Sequence, residues 1–304
     1  MRGSPTRHLR ESERLVRSVA GNRHPVFRAM WWATNLLFCV AIVSLFYSSF
    51  REYSVRRYLD GFSDAIVPNN VPAEERVDAI LSWMRNGSTR AEGGEPGGLA
   101  LRNPEVTLNY KQLLAVCGTA TNGFLNLARS SDLQVRRLLL LDATRNTKHV
   151  VAEVLINGRW IIVDPAYRIV MRDATGRMLT RTDLAKPELF AQATSAVPNY
   201  PAAYTYERFA HVRIGRLPMV GLGLRRALDW ALPGWEEKAD WSLLLERESF
   251  FVLFASASAT LVGVFFRLLL AWVADQRLHV PRFRLRKHFQ RVGAALFSTP
   301  EIHQ

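Results

Sequence analysis

Two long apolar runs constrain this chain more than any other feature. Residues 29–50 read AMWWATNLLFCVAIVSLFYSSF, 22 residues without a charge. Residues 249–266 read SFFVLFASASATLVGVFF, 18 more, and after Arg267 the apolar run continues to residue 274. About 20 apolar residues cross the hydrocarbon core of a bilayer. The first run exceeds the roughly 7–15 residues of a signal-peptide core, has a long basic segment before it and no A-x-A site after it, so it reads as an uncleaved anchor. The second is apolar on every side, which a core helix of that length seldom is, so it reads as a second span. Arg267 then lies about 10 Å from the end of its run, within snorkelling reach of the interface.

The net charge of +13 is concentrated at the ends. Residues 1–28 carry +5, residues 275–304 carry +4 and Arg267 adds one, which leaves +3 for residues 51–249. A basic protein is commonly a nucleic-acid binder. Here the basic segments flank the spans, where Lys and Arg mark the cytoplasmic side, and nucleic acid is not an expected partner. The organisation that follows is a cytoplasmic tail over 1–28, a span over 29–50, a periplasmic domain over 51–213, an amphipathic membrane-proximal segment over 214–248, a span over 249–274 and a second cytoplasmic tail over 275–304. Arg51, Arg56 and Arg57 oppose this orientation weakly, but long loops are translocated largely regardless of charge. Both tails suit anionic lipid headgroups. Between 214 and 248, Leu222, Leu224, Leu228 and Trp230 are mixed with Arg225 and Arg226, and Trp235 and Trp241 follow. That pattern fits a helix at the lipid interface or one packed on the domain.

Within the domain, residues 72–86 form an expected helix, with Glu74 and Glu75 at its positive end and Val77, Ile80, Leu81 and Met84 as its apolar stripe. Residues 51–61 extend the first span as helix, and residues 87–104 form a loop rich in Gly and Pro. Cys117 precedes a second helix, GTATNGFLNLA, so its sulfur is placed near a helix N-terminus, where thiolate is favoured. Residues 133–141 read as a strand. The chain has two cysteines, and Cys39 lies inside the first span, so a disulfide with Cys117 and a metal–thiolate cluster are both excluded.

The clearest local signal is HVVAEVLI over 149–156, then Asn157-Gly158, then RWIIVD over 159–164. Asn-Gly between β-branched runs predicts a hairpin with a type I′ turn. The two-residue turn pairs Ile156 with Arg159, Leu155 with Trp160 and Val151 with Asp164. His149 shares the face of Val151, so His149 and Asp164 become diagonal neighbours, about 7–8 Å apart at the backbone. A nucleophilic thiol needs a base, and the base needs an orienter. Cys117, His149 and Asp164 supply them in that order, His149 taking and returning the proton and Asp164 holding the imidazole.

These residues resemble the transglutaminase-like superfamily of papain-like cysteine enzymes. The match runs over roughly residues 70–170: Cys117 with its helix, Leu133, Val135 and Arg136 at the start of a strand, His149 with Glu153 four residues on, Asn157-Gly158, Trp160 and Asp164-Pro165. Three positions depart from the family pattern. Val150 and Val151 follow the His, Asp132 replaces a Gly before the strand, and Ala166 and Tyr167 follow Asp-Pro. The resemblance implies a membrane-anchored bacterial type with an α+β, papain/transglutaminase-like core, in which the helix bearing the Cys packs on an antiparallel sheet, flanked by two transmembrane helices. It also implies Cys117 as nucleophile, His149 as base and Asp164 as orienter. Gln112 and Tyr110 are candidates to join the Cys117 N–H in stabilising an oxyanion.

The expected activity is attack on an amide or ester through a Cys thioester, by hydrolysis ahead of transfer, on peptide or protein substrates of the envelope, without metal or other cofactor. The competing expectation is an inactive scaffold or binding module of an envelope or exopolysaccharide assembly.

Overall fold

The computed structural model describes residues 25–86, 103–108, 116–212, 220–235 and 242–278. The basic tails up to residue 24 and from 279, the Gly/Pro-rich loop over 87–102, Tyr110, Gln112 and Trp241 lie outside the described residues. The chain forms two compact units. One is built from residues up to Leu45 and from Ser256 onward, the other from Phe46–Ala255.

The first unit consists of the apolar parts of two helices, α1 (Pro25–Ile66) and, last in the chain, α9 (Glu248–Gln276), both long and apolar enough to cross a membrane. Trp32, Leu36, Leu37, Leu261, Phe265 and Leu268 are exposed, an outer surface suited to hydrocarbon rather than water. Polar contacts between the helices are few and specific. Ser44 and Ser256 hydroxyls lie 2.8 Å apart. Arg267 donates to Asn35 Oδ1 and packs its guanidinium 5.5 Å from the Trp31 ring and 5.4 Å from the Phe38 ring. The Arg267 charge therefore has partners on the neighbouring helix.

The second unit is an α+β domain. After the outer part of α1 come α2 (Ala73–Asn86), α3 (Pro104–Thr107) and α4 (Cys117–Ser130). Strands β1 (Val135–Leu141), β2 (Thr147–Ile156), β3 (Arg159–Asp164) and β4 (Ile169–Val170) follow, then α5 (Arg181–Leu184), α6 (Pro187–Thr194), β5 (Phe209–Ala210), α7 (Val220–Ala231) and α8 (Ser242–Glu246). The five strands form one antiparallel sheet in the order β4-β3-β2-β1-β5.

The central strands are apolar on both sides because both faces are covered. Ala152, Val154 and Ile156 point to a core shared with Leu59 of α1, Ile80 and Leu81 of α2 and Phe124 and Leu127 of α4. Val151 and Ile162 point the other way, to Met171, Leu179, Leu184 and Tyr206. That split follows from the period of two along a strand.

Local signals account for the turns. Asn157 (φ 49°) and Gly158 (φ 75°) both adopt positive φ, as a type I′ hairpin requires, and the β2–β3 register pairs Ile156 with Arg159 and Leu155 with Trp160. Helix α4 ends where Leu133 N–H reaches the carbonyl of Ala128 and Asp132 adopts φ 57°. The position where the family carries Gly is therefore left-handed, and Asp is among the few other residues that tolerate it.

In α7, Trp230 is 87 % exposed, whereas Trp235 just beyond the helix is buried against Val212 and Leu228 and donates its Nε1–H to Asp229 at 3.0 Å.

Candidate active site

Cys117 is the first residue of α4, preceded by Val116 in extended conformation. The first N–H groups of a helix have no intrahelical acceptor, so the thiol lies at the positive end of a 14-residue helix. One turn further on, Thr121 Oγ1 donates to the Val150 carbonyl at 2.9 Å, and the Val150 N–H meets the Cys117 sulfur. The residue next to His149 is thus held by the helix through both its backbone groups. His149 follows a β-bulge. Leu140 pairs with His149 but Leu141 with Thr147, so one extra residue of β2 bends the strand next to the imidazole.

His149 Nε2 donates to Asp164 Oδ2 at 2.7 Å, both side chains being buried. The diagonal placement read from the hairpin is the one observed. With Nε2 committed to Asp164, Nδ1 is the nitrogen left for the Cys117 thiol, and no nitrogen or oxygen among the described residues pairs with it. Asp164 accepts from four donors: His149 and, at 2.9 Å, the Tyr200 hydroxyl on Oδ2, and the backbone N–H groups of Ala166 (3.0 Å) and Tyr167 (3.3 Å) on Oδ1. Ala166 and Tyr167 are departures from the family pattern in side chain only. Their backbone holds the carboxylate.

The electrostatics polarise the pair. Burial pushes the Cys117 thiol up, but the hydrogen bond and charge of His149, the Val150 N–H and the Arg137 guanidinium outweigh it and hold the thiol below its ordinary value. Burial pulls His149 down, while Asp164 and Cys117 carry it up to about 9. Both shifts act in the same sense, favouring thiolate with imidazolium more than in the free side chains. Arg137 is close by: a Cβ placed on Gly118 would lie 3.7 Å from its Nη2.

The other motif residues brace the sheet. Arg136 Nε donates to Glu153 Oε2 at 2.6 Å directly across β1 and β2, and its guanidinium lies 4.1 Å over the Trp160 ring. Buried His211 approaches the same carboxylate at 3.8 Å and shares a hydrogen bond with the Arg137 carbonyl at 2.8 Å.

A ring of tyrosines surrounds the imidazole that sequence reasoning did not anticipate. Tyr204 stacks on His149 at 4.2 Å with planes 4° apart, and Tyr167 and Tyr200 meet it edge-on at 6.1 and 6.4 Å. The available signal was the Tyr-rich string YPAAYTY over 200–206. Of the predicted residues, Cys117, His149 and Asp164 are brought together. Among the described residues no cluster of three His, Cys, Asp or Glu side chains has the grouping of a metal site.

A helix-borne thiol facing a strand-borne imidazole on an antiparallel sheet has the form of a cysteine-enzyme-like fold. Residues 60–165 match the model of the Transglutaminase-like superfamily, so the chain carries a transglutaminase-like core domain, and the match encloses Cys117, His149 and Asp164. No curated protein and no solved structure matches the chain.

Proposed function

We propose that this protein is a membrane-anchored cysteine acyl enzyme that cleaves amide or ester bonds of envelope peptides or proteins. The observation that carries the reading is the buried 2.7 Å contact between His149 and Asp164 beside a thiol held below its ordinary value. The Cys117 thiolate attacks the substrate carbonyl carbon and the C=O π pair moves onto oxygen. The Cys117 N–H at the head of α4 is the default donor to that oxyanion, with Tyr110 and Gln112 as candidates for a second. Collapse expels the leaving amine or alkoxide, which takes the proton from His149 Nδ1 and leaves a thioester. Neutral His149 then removes a proton from water, the hydroxide adds to the thioester and the thiolate departs. Hydrolysis is the default outcome, and an amine in place of water would make the protein a transferase.

Both basic tails are assigned to the cytoplasm, and the domain to the periplasmic side of a bacterial inner membrane, on the strength of their flanking positions. The test is labelling of native membranes with a thiol-directed amide probe. Wild type is expected to label, and Cys117→Ala and His149→Ala to fall to background. Full rescue of a deletion strain by both variants would instead make the domain an inactive scaffold.

A further inference from the structure

Tyr200 and Tyr204 lie on the irregular segment between α6 and β5, outside the stretch matched by the superfamily, and take no part in the steps above. Yet they approach the base from two sides. The Tyr204 ring lies flat on the imidazole at 4.2 Å. The Tyr200 hydroxyl donates to the same Asp164 oxygen that His149 uses, and lies 3.4 Å from the Tyr206 hydroxyl behind it. We propose that Tyr200 and Tyr204 are positioning residues of the base, Tyr204 holding the imidazolium through its ring face and Tyr200 dividing the charge of Asp164 Oδ2 so that the proton can leave His149 again. This rests on the reading of Cys117 and His149 as nucleophile and base.

The two act in opposite directions. An aromatic face attracts a cation and not a neutral ring, so Tyr204 favours imidazolium over imidazole. A second donor on Oδ2 withdraws negative charge from the His149 contact, so Tyr200 moderates the same preference. The other ionisable groups facing the imidazole are Asp164 from β3, Cys117 from α4 with Arg137 beside it on β1, and the Tyr167 phenol. Lys148 on its own strand is exposed. All of these side chains are retained when Tyr200 or Tyr204 is changed. Both phenols of the Tyr200–Tyr206 pair are pushed far above their ordinary range, chiefly by burial, so Tyr200 stays a neutral donor throughout.

The experiment is the rate of Cys117 alkylation by iodoacetamide against pH. The full chain is used in detergent micelles, in a Cys39→Ser background that leaves Cys117 the only thiol. An ion pair gives two inflections, the lower for the thiol and the upper for the imidazolium. Tyr204→Leu is expected to move the upper inflection down by about half a unit or more, Tyr204→Phe to leave it in place and Tyr204→Trp to move it up. Tyr200→Phe is expected to move it up. If Tyr204→Leu does not fold, the Trp and Phe arms and Tyr200→Phe still decide. Upper inflections that coincide with the parent in every folded variant would leave the tyrosines as packing alone and overturn the proposal. A parent that shows a single inflection in the ordinary thiol range would instead overturn the enzyme reading itself.

Discussion

Replacing Asp164 with Asn keeps the shape of the side chain and an acceptor for the backbone N–H groups of Ala166 and Tyr167, but puts an NH2 donor where His149 and Tyr200 need an acceptor. The imidazole is then expected to take the other tautomer, with Nε2 bare and Nδ1 protonated towards sulfur. By comparison with Ser-His-Asp systems, thioester formation should fall on the order of 10⁴-fold, measured as acylation by an activated ester. Loss of satisfied buried contacts should also lower stability by about 1–3 kcal/mol, measured by urea unfolding. The Cys117–His149 pair further dictates how stability follows pH. His149, raised from 6.5 to about 9, contributes stability that is full below 6.5 and lost as pH rises through about 9. Cys117, lowered from 9.0, contributes stability present above 9.0 and lost as pH falls through its folded value. In the window above both the ordinary imidazole value and the folded thiol value, and below about 9, the slopes oppose: folded and unfolded chains each hold one proton on the pair, placed differently. Wild type is therefore expected to have a flat urea midpoint over that window. Cys117→Ala, which keeps only the His149 dependence, should lose stability as pH rises through it.

Among the elements, the β2–β3 hairpin and the end of α4 are where local chemistry speaks most directly. Asp132 holds φ 57° at the helix terminus, so Asp132→Gly should leave stability unchanged or raise it by up to about 1 kcal/mol, and Asp132→Val should lower it by about 1–2 kcal/mol. A Cβ on Gly158 would meet nothing within 4 Å, so the cost of Gly158→Ala is conformational alone, about 1 kcal/mol at φ 75°. Thermal unfolding of the three variants checks these signs. The hairpin was legible before any coordinates because its register depends on a turn type and a period of two, both written in adjacent residues. The tyrosine ring was not legible. Tyr200 and Tyr204 sit in a segment without periodicity, and Tyr200 reaches Asp164 from 36 positions away in the chain. Nor did the sequence place the β-bulge before His149, since a bulge depends on how two strands compete for register. Around α7 the pattern could be read as a helix at the interface or as one packed on the domain, because it mixes Trp235, buried just beyond the helix, with Trp230, exposed within it.

For the molecule as a whole, the domain is closed by charges far apart in sequence. Glu52 of α1 accepts from Arg247 at 2.8 Å and from Ser249 at 2.7 Å, and Arg247 reaches Asn126 of α4 at 3.3 Å, while Arg129 of α4 pairs with Glu246. These partners join the segment after the first apolar run, the helix of Cys117 and the segment before the second run. No local pattern could announce an ion pair 195 residues apart. Removing one side of a buried pair leaves an uncompensated charge, so Glu52→Leu and Arg247→Met should each cost about 3–5 kcal/mol, and the double variant clearly less than their sum. A fragment of residues 51–213 lacks Glu246, Arg247 and Ser249 and should unfold at lower temperature than one of residues 46–255, the span of the compact unit. Orientation is tested by reporter fusions after residues 28 and 304, both expected to read out in the cytoplasm. One feature of the hairpin also bears on how this protein can vary among organisms. His149 and Asp164 meet because they are 15 positions apart around a two-residue turn. A single codon gained or lost between them would turn the carboxylate to the opposite face of the sheet. Lineages that keep this contact should therefore differ there in spelling but not in length, so counting that interval in any related gene screens for a lost imidazole–carboxylate pair before a protein is made.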